Sequence, residues 1–216
     1  MGEINRIVKY YPVCLNLKGK KVLLSGGGRV AFRKAKTLLA SGALVTVVAE
    51  KITAALEKLP GVEFSRKKFE PGDLTPAFTL AIAATSSKAT NRLLAQRAGE
   101  LHIPVNVVDD AELSSFILPA LVKKGELQLA ISTSGIAPGF AAWLRKELET
   151  MLPPQLDKVI KLLGELRKNA RYGELNALQK RDFWGKVHNL KLLENVNCPS
   201  YLKLKKSIEE LWKDAG

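Results

Sequence analysis

Three consecutive glycines, Gly26-Gly27-Gly28, follow directly on the apolar run Lys21-Val22-Leu23-Leu24-Ser25. A run this short and this apolar reads as a buried parallel strand, and the glycines as a tight turn leading out of it. Beyond them, apolar positions at Val30, Ala31, Ala35, Leu38 and Leu39 recur at helical spacing, and Gly42 is placed to cap the helix C-terminus. Leu44-Val45-Thr46-Val47-Val48-Ala49 supplies a second, β-branched strand. Strand, helix and strand within about 30 residues make a βαβ unit whose first strand-to-helix turn is the glycine run.

That turn has the form GxGxxA. Gly26 lets the chain reverse after the strand, Gly28 lets the backbone approach a pyrophosphate with no Cβ in the way, and Ala31 takes the small position where helix and strand pack closely. The helix start offers free N–H groups and partial positive charge to the phosphates. An acidic residue for the ribose hydroxyls is expected at the end of the second strand, and Glu50 stands there. An acid at that place favours NAD over NADP by repelling a 2′-phosphate, although the adjacent Lys51 can pair with one.

The alternation continues. A short helix is expected over Ile52–Leu59, a strand over Val62–Arg66, a strand over Leu80–Ala84 ending at Thr85, a helix over Ala89–Glu100 and a strand over Val105–Val108. This is a doubly wound, Rossmann-like α/β sheet. From about Ser114 the pattern changes: Ser115–Val122 and Leu127–Ser132 read as two strands joined by Lys123-Lys124-Gly125-Glu126, followed by a helix over Pro138–Met151. After Pro153-Pro154 the chain is helical in period, with breaks at Gly173 and Pro199. The expected division is a nucleotide domain over 1–113, a small piece with strands over 114–152 and a helical domain over 153–216. A piece with so few strands hardly buries its own apolar face, so pairing with a second copy of the chain is expected.

Composition narrows the function classes. With 216 residues, 46% hydrophobic, the chain suits one medium domain and an appendage. No apolar run approaches the roughly 18 residues of a membrane span, and the N-terminus lacks a secretory layout. Cys14 and Cys198 lie far apart, and His102 and His188 are unclustered, so no metal site is expected and the cysteines read as reduced thiols of a cytoplasmic protein. The net charge of +13 fits an anionic partner. It is spread along the chain without aromatic-basic interleaving, which argues against nucleic acid.

Two further groups are candidates for chemistry. Asp109 and Asp110 stand at the carboxyl end of a predicted parallel strand, where open α/β sheets bind their ligands. A carboxylate there serves equally well as a general base or as an Asx turn or helix cap leading into Ala111-Glu112-Leu113. Ser132-Thr133-Ser134-Gly135 is a hydroxyl-rich turn before a helix, suited to capping and, more sharply, to a polar ligand contact.

Taken together, several runs resemble one family. They are Tyr11-Pro12-Val13 with Leu15, GGGRVAFRKA over 26–35, Ala83-Ala84-Thr85 with Asn91, and Val105-Asn106-Val107-Val108-Asp109. Phe116-Ile117-Leu118-Pro119-Ala120, and Ala130-Ile131-Ser132-Thr133-Ser134-Gly135 with Pro138, complete the set. In order and spacing these are similar to the precorrin-2 dehydrogenase/sirohydrochlorin ferrochelatase family of siroheme biosynthesis, over about residues 10–153. The resemblance implies NAD-dependent oxidation of precorrin-2, a polyanionic tetrapyrrole, to sirohydrochlorin, and in some members insertion of ferrous iron as a second substrate. It implies Asp109 as the catalytic carboxylate. Cofactor contacts fall on Gly26, Gly28, Arg29, Val30, Ala31, Glu50, Lys51 and Thr85, and the tetrapyrrole is expected near Asn106, Ser132, Thr133 and Ser134. It also implies a homodimer whose small sheet domain is built across two chains. A non-catalytic NAD- or tetrapyrrole-binding module is the remoter alternative.

Overall fold

The computed structural model describes residues 10–169, 173–191 and 200–214. Of the residues singled out from the sequence, Cys198 and Pro199 lie outside the described residues. The chain divides into two compact units, Met1–Leu118 and Pro119–Gly216, and each is described by itself.

In the first unit five strands form one sheet in the order β3-β2-β1-β4-β5, every neighbouring pair parallel. The elements are β1 (Lys21–Ser25), α1 (Arg29–Ala40), β2 (Leu44–Val48), α2 (Ala54–Glu57), β3 (Val62–Ser65), a 3-10 turn (Pro71–Asp73), β4 (Phe78–Ala83), α3 (Lys88–Glu100) and β5 (Val105–Val107). The apolar run of β1 has no alternation because both of its faces are covered. Val22 and Leu24 join the core on the α1 side with Ala31, Ala35 and Leu38, while Leu23 joins Leu94 and Ala98 of α3 on the other. Gly42, at φ +77°, follows the end of α1 and donates its N–H to the Leu39 carbonyl at 2.9 Å. This is the left-handed stop that the sequence announced.

One expectation needs correcting. Residues 115–119 are not the start of a strand; β6 begins only at Ala120. The chain instead turns back along the free edge of β5. There the Ser115 hydroxyl accepts from the Val105 N–H at 2.8 Å and the Ser114 hydroxyl from the Val107 N–H at 2.9 Å. Two serine side chains thereby occupy edge donors that would otherwise stay open.

The second unit opens with a hairpin, β6 (Ala120–Lys124) and β7 (Leu127–Ile131), antiparallel with Lys124 opposite Leu127. The turn is therefore Gly125-Glu126 alone, with Gly125 at φ +58°. Helix α4 (Pro138–Met151) follows, its proline in the first turn, where no N–H is needed. Helices α5 (Leu156–Lys168), α6 (Ala177–His188) and α7 (Ser200–Asp214) complete it. Leu156, Val159 and Leu162 of α5 pack with Leu204 and Ile208 of α7. Phe183 and Val187 of α6 close around Trp212. No described helix is long and apolar enough to cross a membrane.

Candidate functional site

In the sheet order the chain moves outward from β1 to β2 and β3, then returns to the other side of β1 for β4 and β5. A crevice therefore opens at the carboxyl ends of β1 and β4, the topological switch point. A cleft of about 1110 Å³ lies there. Its walls are the glycine turn, the loops after β2 and β3, the start of α3, and Val108 and Asp109 after β5.

The three glycines have three different jobs. Gly26 sits at φ +123°, and a Cβ on it would collide with the Ala84 carbonyl. Its N–H donates to the Val48 carbonyl at 3.0 Å, which ties the turn to β2. A Cβ on Gly27 would collide with the Lys51 carbonyl, and the Gly27 carbonyl accepts from the Thr53 N–H at 2.9 Å. Gly27 was not singled out from the sequence; in the GxGxxA pattern it counts as a free position, and only the tertiary approach of residues 51–53 reveals its need. A Cβ on Gly28 would meet nothing within 4 Å, because that side faces the cleft. Gly28 is the N-cap of α1; it has no side chain to cap the first turn, and no acidic residue stands in that turn. The helix start is left open to an anion, with a cradle that a side chain would fill. The residues present fit a dinucleotide pyrophosphate.

Of the residues expected at the cofactor, Gly26, Gly28, Arg29, Val30, Glu50, Lys51 and Thr85 all line the cleft. Ala31 is fully buried in the core behind the turn, where it allows close packing. Glu50 and Lys51 are exposed, and neither forms an ion pair among the described residues. The Thr85 hydroxyl donates to Asn91 Oδ1 at 2.6 Å, and Asn91 Nδ2 returns a bond to the Thr85 carbonyl at 3.1 Å. That exchange fixes the loop after β4.

The two neighbouring aspartates are held differently. Asp110 Oδ1 accepts from the Leu113 N–H at 3.2 Å, a cap-type bond to the third residue on. Asp109 takes a left-handed backbone, φ +60°, between Val108, whose N–H donates to the Ala83 carbonyl at 2.9 Å, and Asp110, whose N–H donates to the Val107 carbonyl at 3.2 Å. Few residues tolerate that conformation, and aspartate is one of them. It leaves the Asp109 side chain exposed at the cleft. Lys34 on α1 is a neighbour that sequence reasoning missed. Burial holds its ammonium pKa below the usual lysine range, helped by Arg33 and opposed by the Asp109 charge.

Asn106 is buried outside the cleft lining, its amide donating to the Phe116 carbonyl at 3.1 Å. Ser132, Thr133 and Ser134 belong to the second unit. There Thr133 Oγ1 accepts from the Ala137 N–H at the start of α4, and Ser132 Oγ accepts from the Ser134 N–H, each at 3.1 Å. Lys67 and Lys68 line the cleft on the β3 side without having been foreseen. Hydrogen bonds to Asp73 and then Glu70 raise the Lys67 pKa and hold that side chain in place. Ser86, Ser87 and Thr90 at the start of α3 add hydroxyls to the same wall. The polar run Thr85-Ser86-Ser87 after an apolar strand was the signal for them.

A parallel sheet with an open glycine-cradled helix start at its switch point defines a dinucleotide-binding protein of the Rossmann class. The chain belongs to the putative NAD(P)-binding family, whose model matches residues 13–120. Residues 124–151 match a second family, the sirohaem biosynthesis protein central region. Among similar proteins, the siroheme synthase of Neisseria meningitidis serogroup C is 38% identical over 185 residues, covering 84% of this chain and 38% of that protein. Siroheme synthase 1 of Cronobacter sakazakii is 40% identical over 183 residues, covering 83% of this chain and 39% of that protein. The chain thus spans about two fifths of the length of these relatives. A solved structure described as SirC, precorrin-2 dehydrogenase, superposes with a TM-score of 0.70 at 24% identity, covering 95% of this chain and 100% of that one. That likeness is one of fold.

Proposed function

We propose that this chain is an NAD-dependent precorrin-2 dehydrogenase, oxidising precorrin-2 to sirohydrochlorin. The observation that carries the reading is the meeting of two features at one switch point. One is a glycine cradle shaped for a pyrophosphate; the other is the exposed Asp109, raised on a left-handed turn at the rim of the same cleft. The names of the siroheme synthases and of the precorrin-2 dehydrogenase support the choice of substrate.

In this reading NAD, when bound, supplies the hydride acceptor. The backbone of 26–30 holds the pyrophosphate, and Glu50 takes the ribose hydroxyls of the adenosine half, which favours NAD over NADP. Asp109 accepts a proton as the macrocycle loses a hydride and a proton. The lysines and arginines of a chain of net charge +13 attract the polycarboxylate substrate. Ser132, Thr133 and Ser134 bind the tetrapyrrole. Oxidation by a dissolved cofactor, in a chain without a CxxC pair, suits the cytoplasm.

We further propose a homodimer formed through residues 114–152. Ile136, Phe140 and Trp143 are 69%, 53% and 52% exposed, and a two-stranded sheet does not bury its apolar face alone. Light scattering on Phe140→Asp/Trp143→Lys is expected to give a monomer where the parent gives a dimer. A monomeric parent overturns this part.

The activity is tested by adding enzymatically generated precorrin-2 and NAD and following NADH. Asp109→Ala is expected to lower turnover by about 100-fold or more while the NAD Kd stays within about twofold. Undiminished turnover removes Asp109 from the mechanism. A parent chain that binds NAD but leaves precorrin-2 unchanged removes the substrate assignment.

A further inference from the structure

Ser25 is 1% exposed, yet its hydroxyl has no hydrogen-bond partner among the described residues. It is the last residue of β1, paired with Val48 on one side and Ala83 on the other, so it lies at the centre of the sheet. Its carbonyl is occupied by the Ala84 N–H at 2.7 Å. Strand parity places its side chain on the same face as Leu23, toward α3. Two hydroxyls of the segment after β4 are engaged elsewhere. Thr85 Oγ1 bonds Asn91 and the Ser87 carbonyl, and Thr90 Oγ1 bonds Ser87 Oγ at 3.0 Å. Ser25 nevertheless lines the cleft, one residue before the glycines. A buried hydroxyl left unpaired costs free energy that an alanine would avoid, and such groups are satisfied by a ligand or a trapped water.

We propose that Ser25 is a cofactor-positioning residue. Its sealed hydroxyl beneath the floor of the cleft donates a hydrogen bond to the pyrophosphate of the bound dinucleotide across one trapped water. This rests on the reading of the cleft as a dinucleotide site. The glycine turn presents backbone N–H groups from α1, and Ser25 adds a side-chain donor from the sheet itself. A pyrophosphate held from both sides is fixed along the cleft, which sets how far the rest of the dinucleotide reaches toward Asp109.

The test compares the full chain with Ser25→Ala and Ser25→Cys. Isothermal titration is expected to show NAD binding weakened roughly tenfold in both, the loss of one hydrogen bond to a charged group. Binding of AMP, which has no pyrophosphate, is expected to stay within about twofold. The melting temperature without cofactor is expected to hold or rise, because the unpaired hydroxyl is gone. A drop of several degrees with unchanged NAD affinity assigns the hydroxyl to the fold and overturns the proposal. So does NAD affinity kept by Ser25→Cys but lost by Ser25→Ala, which makes the effect one of volume. Unchanged affinity in both variants overturns it as well. Failure of the parent chain to bind NAD sinks the dinucleotide reading before any substitution is made, so the two failures are distinguishable.

Discussion

Adjacent glycines in the turn answer to different constraints, and alanine substitutions separate them. Gly28 has φ −87°, a conformation any residue adopts, and open space where a Cβ would stand. Gly28→Ala therefore leaves the fold intact. Reduced freedom of the unfolded chain adds about 0.4–1 kcal/mol of stability, and alanine's poorer fit to the N-cap removes a similar amount. The melting temperature is therefore expected to stay within roughly 2–4 °C of the parent. The new methyl, however, stands in the cradle and lifts a pyrophosphate off the first turn of α1. Losing one charge-assisted hydrogen bond, about 1.5–3 kcal/mol, weakens NAD binding roughly 10- to 150-fold. Gly27→Ala behaves in the opposite way. Its Cβ runs into the Lys51 carbonyl, a backbone atom, while the Gly27 carbonyl is held by the Thr53 N–H. Overpacking of this kind costs about 1–3 kcal/mol, or roughly 4–12 °C. Thermal melting and titration calorimetry on the two variants read both effects. Gly28→Ala with parental NAD affinity would falsify the cradle, and equal destabilisation by the two variants would refute the packing argument.

Two other substitutions follow from burial and charge. Lys34→Met is expected to raise the melting temperature near neutral pH, because it removes a half-buried ammonium whose pKa burial holds below 10.5. The folded state binds that proton less readily than the unfolded chain, so parental stability climbs as pH rises through the folded pKa toward 10.5, and the variant's advantage must shrink over the same window. An advantage constant with pH contradicts this. Phe183→Ala empties a site 1% exposed, where an edge-on contact to Trp212 at 5.4 Å joins α6 to α7 and a second, to Trp184 at 5.3 Å, lies within α6. A loss of about 3–5 kcal/mol is expected in denaturant unfolding followed by near-ultraviolet circular dichroism. A loss under 1 kcal/mol means that this cluster relaxes into the space.

The first unit was legible because its strands are covered on both faces. Val22, Leu23 and Leu24 must all be apolar when α1 packs on one side and α3 on the other, and such a run stands out in any sequence. The helix over Pro138–Met151 was equally plain, with a proline at its start. What could not be read was decided by tertiary contacts. Ser115 opens a stretch that looks like a strand and Ser114 precedes it, yet their hydroxyls serve the edge of β5 and the chain does not extend. Gly27 looks spare until the Lys51 carbonyl arrives beside it from the loop after β2. Asp109 and Asp110 are chemically identical, and only the positive φ of the first assigns one to the cleft and the other to a turn. Asn106, in the same motif as Asp109, is buried and turned to the Phe116 carbonyl; side-chain parity along β5 decides that, and motif position does not.

The register of the sheet explains how groups so distant in sequence come to share one site. Ser25 of β1 is paired with Ala83 of β4, and Ala83 with Val107 of β5. The strands are mainly apolar up to that row, and the chain changes character just past it: the glycines follow Ser25, and Thr85 and Asp109 stand two residues beyond Ala83 and Val107. Because the strands are parallel, those three departures lie along one edge of the sheet, and the opposite edge receives none of them. A slip of one residue between β4 and β5 would bring Val108 or Asp110 to the place of Asp109 and reverse the face of every β5 side chain. The bonds that oppose such a slip run between the two strands at either end of β5: the Ala81 N–H donates to the Pro104 carbonyl at 3.0 Å and the Val108 N–H to the Ala83 carbonyl at 2.9 Å. Those two bonds bracket an edge strand only three residues long, and the second stands one residue before the carboxylate whose place it fixes.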